Sequence, residues 1–344
     1  MPIASEHDTF SKSEYERLRA ALDMTPNGWM NSVTVVMNMT LVALALHLLT
    51  RGSAPAYWMA QLILPVAFFQ GFSLLHDCGH GSCTSSRLGN TVIGHYASVL
   101  CFMPFFPWKY VHTEHHVWAG NADRDPGLAL VKRARDTGKL PMLIAVAWRS
   151  WIPIGAFAQH LVYWSYPIVA LRRGKLPRKK LINCAASVAL LICVYSALHL
   201  FTPQLFNALN FAPAILLYLL LVEFVNTPHH AGLTAYRERL PLWKQHLPTR
   251  SCSYPPIISA FAVLNFNFHI EHHFFPNLPW YRLPGASRLV KAALGPAYRE
   301  TRGLNWHLAE RKRDFVGVLT GGSEAAVAVP RNLDAAASGP DDAR

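Results

Sequence analysis

The chain has 344 residues, of which 51% are hydrophobic and 15% charged. Soluble domains carry about 25% charged residues, so the composition excludes an ordinary soluble globule and a disordered chain alike. The 32 basic and 20 acidic residues leave a net charge of +12. In a membrane protein that surplus reports positive-inside loops, and no nucleic-acid partner is expected.

Residues 1–28 read as a cytosolic N-terminal segment. Glu6, Asp8, Glu14 and Glu16 make it too acidic for a secretory signal. Ser13 and Glu16 have the spacing of a capping box for a short helix ending near Leu22. A spanning helix needs about 20 apolar residues, and spans are expected near 29–49, 56–75, 181–201 and 205–225. The run 91–106 is too short and is followed by Pro107, so it reads as re-entrant or interfacial. The stretch 141–170, broken by Arg149, Pro153, His160 and Pro167, reads either as interfacial or as two poor spans. The tail, 318–344, has the composition of a disordered segment.

Charge sets the orientation. The links after the first and third spans hold one basic residue between them. The cluster Arg172, Arg173, Lys175, Arg178, Lys179 and Lys180 lies on the other side. The N-terminus and a cap formed by 76–180 and 226–317 are therefore expected on the cytoplasmic face. The six cysteines include no CxxC pair, which fits a reducing compartment.

Histidine is the outlier, with 17 residues. Four clusters fall on the expected cap side: His76-Asp-Cys-Gly-His80, His112-Thr-Glu-His115-His116, Asn226-Thr-Pro-His229-His230 and His269-Ile-Glu-His272-His273. On a helix, positions i, i+3 and i+4 share a face, so each HxxHH segment aims imidazoles into one volume. That many donors exceed the needs of one ion and suit a pair of metals. Imidazole fits zinc, copper, iron and nickel. Apolar chains are the nearest substrate to such a site, and their C–H bonds call for a redox metal with dioxygen, iron being the economical choice. His7, His47, His95, His160, His199, His246 and His307 stand alone and read as structural or exposed. Trp108 and Trp118 read as interfacial anchors or as lining for an acyl entrance. Glu223 reads as orienting a ligand or reaching the water surface. Asp77, Glu114 and Glu271 read as carboxylates behind the ligands. Asn265 and Asn267 read as backbone partners.

These residues resemble the membrane fatty acid desaturases and their hydroxylase and ketolase relatives. The resemblance covers about 71–283. It rests on His76-Asp-Cys-Gly-His80-Gly81, the two HxxHH boxes, Asp125-Pro126, Thr249-Arg250-Ser251 and the ending His272-His273-Phe-Phe-Pro276. It implies an all-α integral membrane fold of about four transmembrane helices with a cytosolic helical cap over a di-metal site. It implies two non-haem iron ions with O2 as co-substrate. Carried over, His76, His80, His112, His116 and His272 hold one iron, and His115, His230, His269 and His273 the other. Asn226 matches an asparagine that reaches iron through water. His229 has no ligand counterpart there but is kept as a metal candidate from its place in the cluster. Pro228 leaves the helix geometry around it open.

The implied activity is O2-dependent desaturation of a fatty acyl chain on lipid, CoA or acyl carrier protein. Hydroxylation or ketolation of an alkyl or carotenoid substrate is the alternative, and a membrane metal transporter is the reading from another class. The string His-Pro-Gly-Gly of fused cytochrome b5 domains does not occur in the chain, so a separate ferredoxin, rubredoxin or cytochrome b5 is expected as electron donor.

Overall fold

The computed structural model describes residues 10–128, 140–174 and 176–320. Lys175, His7 and the expected tail beyond 320 lie outside the described residues. In chain order the helices are α1 (Lys12–Ala20), α2 (Gly28–Leu49), α3 (Ala54–His80), α4 (Arg87–Cys101), α5 (Phe105–Trp118), α6 (Leu140–Arg149) and α7 (Ile154–Arg173). They continue with α8 (Arg178–Phe201), α9 (Ala208–His230), α10 (His269–Phe274), α11 (Leu283–Leu294), α12 (Gly303–Glu310) and α13 (Phe315–Thr320). One short parallel ladder pairs β1 (Ser251–Ser253) with β2 (Glu300–Arg302). Among the described residues four helices are long and apolar enough to cross a membrane: α2, α3, α8 and α9. The protein is a nearly all-helical, four-span membrane fold carrying a helical cap.

Two spans run further than expected. Nothing between Leu75 and His80 breaks a helix, so α3 continues through the first histidine cluster and stops at Gly81, whose φ of 74° is left-handed. At 1.5 Å per residue its 27 residues reach about 40 Å, against about 30 Å of hydrocarbon. The excess carries His76 and His80 beyond the apolar layer. Helix α9 starts at 208 rather than 205 and likewise ends on His229 and His230. These two clusters therefore belong to the ends of spanning helices and not to the cap.

Helices α3 and α9 lie side by side and parallel, and side chains tie their first turns together. Pro213 has no N–H and displaces the α9 backbone, which frees carbonyls that hydrocarbon cannot solvate. The Tyr57 hydroxyl donates to the Leu209 carbonyl at 2.8 Å. The Gln61 amide bridges the broken pair, donating to Asn210 O at 2.9 Å and accepting from Ala214 N–H at 2.9 Å. Pro228 repeats the problem at the other end. It frees the Phe224 carbonyl, to which His307 Nε2 from α12 donates at 2.9 Å. The helix thus passes through Pro228 unbroken. Deeper in the bundle Asn38 donates to Ala67 O and Gln70 Oε1 and accepts from the Tyr96 hydroxyl, joining α2, α3 and α4.

Several expected segments take a definite form. The run 91–106, read as re-entrant or interfacial, is largely helical. It forms most of α4, packed along α3 and ended by Phe102 at φ 57° before α5 begins. The stretch 141–170 supplies α6 and α7, with Trp151 at φ 59° in the turn between them. The capping box forms two residues earlier than expected. Ser11 accepts from Glu14 N–H while Glu14 accepts from Ser11 N–H at 2.7 Å. Helix α13 runs past the expected limit at 317, because Phe315 and Val318 are buried.

Gln61→Leu leaves an N–H and a carbonyl of α9 without partners inside the hydrocarbon. The expected cost is about 1–3 kcal/mol for each group, read as a lower Tm of the detergent-solubilised protein. Burial pushes the His307 imidazole down to about 4. A histidine depressed in the folded state stabilises fully above its unfolded value of about 6.5, and that contribution is lost as pH falls toward its folded value. His307→Gln, which can still donate to Phe224 O, should therefore lose less stability than the wild type between those two pH values in a Tm series.

Candidate metal centre

Four elements deliver the histidines. The ends of α3 and α9 bring His76, His80 and His230, α5 brings His112, His115 and His116, and α10 brings His269, His272 and His273. A six-residue helix has no stability of its own, so α10 is held from outside. Ser251 Oγ on β1 accepts from Ile270 N–H at 3.0 Å and donates to Glu271 at 2.8 Å. Tyr298 donates to the other Glu271 oxygen at 2.7 Å. From α1 the Tyr15 hydroxyl donates to Phe274 O at 3.0 Å, and the ring of Phe10, just before that helix, stacks on Phe274.

The imidazoles sort into two groups. His76, His80, His112, His116 and His272 form one. His115, His230, His269 and His273 form the other. Within each, the donor atoms all lie within 4.8 Å of one another. His229 falls in neither group. Its ring stacks on His269 with centroids 4.1 Å apart. Asn226 lines the adjoining cavity.

Hydrogen placement tests whether these groups suit a metal. His230 Nδ1 faces the Pro248 carbonyl at 3.0 Å, and a carbonyl only accepts, so the proton sits on Nδ1. His115 Nδ1 faces Asp125 Oδ1 at 3.1 Å, and His273 Nδ1 faces Gln245 Oε1 at 3.3 Å, with the same consequence. All three Nε2 atoms then present bare lone pairs inward. Yet His115 Nε2 and His230 Nε2 are 3.2 Å apart, His230 Nε2 is 2.8 Å from His269 Nε2, and His273 Nε2 is 3.1 Å from His269 Nε2. In the other group His116 Nε2 is 3.0 Å from His112 Nε2 and 2.9 Å from His272 Nε2. His76 Nε2 and His80 Nε2 are buried with no hydrogen-bond partner. A cation relieves all of this. Imidazole nitrogens bound at about 2.1 Å and at right angles lie about 3.0 Å apart.

Electrostatics agree. Burial, followed by the neighbouring imidazoles, pushes His112, His116, His269, His272 and His273 well below the usual histidine value. They are neutral and free to ligate. Burial alone would raise Asp125. Its contacts with His115 and His230 and the hydrogen bond from Gly120 N–H outweigh it and hold the carboxyl below its usual value.

A cavity of about 270 Å³ adjoins the cluster. His112, His115, His230 and His269 form part of its wall, and Phe72, Met103, Trp108, Val162, Ile154 and Phe315 supply apolar surface. Of the two roles expected for Trp108, the interfacial one is not taken: it is a buried residue of the cavity wall. It is 2% exposed and stacks on His112 at 4.5 Å. Gly79 makes that possible, since a Cβ there would come within 2.4 Å of the Trp108 ring. Trp118 lies under the Arg124 guanidinium instead.

Glu223 neither orients a ligand nor reaches water. It is 2% exposed, pairs with Arg311 at 2.9 Å and accepts from Gly155 N–H at 2.7 Å. Asp77 accepts from Trp280 N–H, and Glu114 is exposed. Asn265 and Asn267 donate to backbone carbonyls.

The fatty acid desaturase family model matches residues 52–304, a span that holds all four histidine clusters. The chain belongs to the fatty acid desaturase family. As a desaturase it is an oxidoreductase. It is 26% identical over 304 residues to the omega-3 fatty acid desaturase, endoplasmic reticulum, of Nicotiana tabacum, covering 78% of this chain and 73% of that one. It is 27% identical over 281 residues to the sn-1 acyl-lipid omega-3 desaturase (ferredoxin) of Synechocystis sp., covering 75% and 72%. It is 27% identical over 272 residues to the acyl-lipid omega-3 desaturase (cytochrome b5) of Arabidopsis thaliana, covering 72% and 66%.

Sequence reading placed Asp125 in a family element but gave no reason to face it with His115. It missed Gln245 and the Pro248 carbonyl altogether. Both sit in the irregular segment after α9, which carries no periodicity to read. In this desaturase Asp125→Asn removes the negative charge behind His115 while keeping its shape. The expected outcome is metal retention weakened roughly 10–100-fold, measured by metal analysis during chelator titration.

Proposed function

We propose that this chain is an O2-dependent desaturase that introduces a double bond into a fatty acyl chain at a non-haem di-iron centre. The observation that carries the reading is the cavity, whose apolar walls end on imidazoles from both groups. His76, His80, His112, His116 and His272 hold one iron. His115, His230, His269 and His273 hold the second, with Asn226 beside it on the cavity wall. The chemistry that a bound iron pair supplies is dioxygen-dependent removal of hydrogen from an unactivated methylene.

The chain's own residues contribute position. Phe72, Met103, Trp108 and Val162 grip the acyl chain and exclude water. Asp125, Pro248 and Gln245 keep the Nδ1 protons of His115, His230 and His273 away from the metal. No side chain serves as a nucleophile.

The acyl group is carried on a membrane lipid, as the names of the Synechocystis and Arabidopsis relatives have it for those proteins. Electrons come from a separate ferredoxin or cytochrome b5, the donors that the same relatives are named for. The histidine side faces the cytoplasm. Arg172, Arg173, Arg178, Lys179 and Lys180 cluster between α7 and α8, at the end of α8 that shares a side with the ends of α3 and α9.

Expression in a host with a simple lipid profile, followed by mass spectrometry with double-bond mapping, tests the reading. The expected product lacks two hydrogens and gains no oxygen. His115→Ala and His272→Ala should each abolish it and lower iron content. An oxygenated product overturns the desaturation, and retained turnover in both variants overturns the ligand assignment.

A further inference from the structure

Metal-bound histidines almost always donate their second ring N–H to a partner that fixes the ring plane. In the second group, three of the four do so. His115 has Asp125, His230 has the Pro248 carbonyl and His273 has Gln245. His269 is the exception. Its Nδ1 is buried and has no hydrogen-bond partner. Its Nε2, like that of His230, meets two other imidazoles, so its plane too must be held.

What His269 has instead is the ring of His229. The two lie face to face, centroids 4.1 Å apart and planes 13° from parallel. His229 is fully buried, and neither of its nitrogens has a hydrogen-bond partner. The part of this side chain that touches the site is its face. Its own backbone is anchored, since the His229 carbonyl accepts from Arg250 N–H at 2.9 Å. Phe266 flanks both His229 and His269. The stack therefore rests on an anchored backbone and against the Phe266 ring.

We propose that His229 is a positioning residue, not a ligand: its ring face holds the plane of His269 where a hydrogen bond holds the other three. This rests on the two-iron reading above. Stacking needs a flat ring and no nitrogen. His229→Phe keeps the face and removes both nitrogens, and His229→Ala removes both.

The test is anaerobic iron reconstitution of the purified full chain in detergent. It is read as iron per chain and as the Mössbauer signature of each iron, with wild type and His269→Ala alongside. His229→Phe should match the wild type in both. His229→Ala should bind iron at this group roughly 10–100-fold more weakly while the first group stays loaded. His229→Leu, which fills the volume without a flat ring, should follow His229→Ala and guards against a variant that fails to fold. If His229→Phe loses iron as His269→Ala does, His229 acts through a nitrogen and the proposal fails. It also fails if His229→Ala and His229→Leu both load fully. A wild type that takes up no iron removes the underlying reading, an outcome distinct from either.

Discussion

The structure depends on a repulsion. Imidazoles from α3, α5, α9 and α10 point bare nitrogens at one another at hydrogen-bonding distances without enough protons to share. Folding the chain this way is costly unless positive charge sits between them. The arrangement is kept because every element that carries a histidine is fixed by something other than the site. The last turns of α3 and α9 are carried by spanning helices, and α10 is held by β1, Tyr298 and α1.

The bilayer supplies the second constraint. Each carbonyl freed by a proline in α9 must find a donor, because lipid offers none. Tyr57, Gln61 and His307 provide them. Those bonds also serve the site. The first two set the register of α9 against α3, and the third holds the turn that carries Asn226 and His230. His307 read as a lone structural histidine, and it is one. Its position is nonetheless what lets Pro228 sit one residue from the site without bending it away.

The same economy shows at the cavity. Glu223 and Arg311 form a buried ion pair beside an apolar space, with the Arg311 guanidinium lying against the rings of Trp148 and Trp151. The pair joins α9 to α12 and, through the Gly155 N–H, to the start of α7. It closes the wall where Phe315 enters. A charge that the sequence read either as orienting a ligand or as reaching the water surface is thus part of the frame around the space proposed for the acyl chain.

Composition and spacing along the chain were enough to class the protein. Low charge and long apolar runs placed four spans, and the i, i+3, i+4 spacing of histidines brought imidazoles onto common helix faces. Helical periodicity is local, so it is legible in one dimension. Spacing alone left open which histidine joins which group, a division that only the family resemblance implied; in the fold His115 and His116, neighbours in sequence, part company by pointing about 100° apart around α5. The tertiary structure decided the partners of the ligand rings as well. Asp125 could be noticed, but Gln245 and the Pro248 carbonyl act from an irregular segment whose path is set by contacts distant in sequence. It put Trp108 in the cavity wall rather than at the membrane surface, since the gap left by Gly79 is on another helix. And it gave His229 and His230 different surroundings, the one ring lying face to face on His269 and the other turning its Nε2 toward His115 and His269.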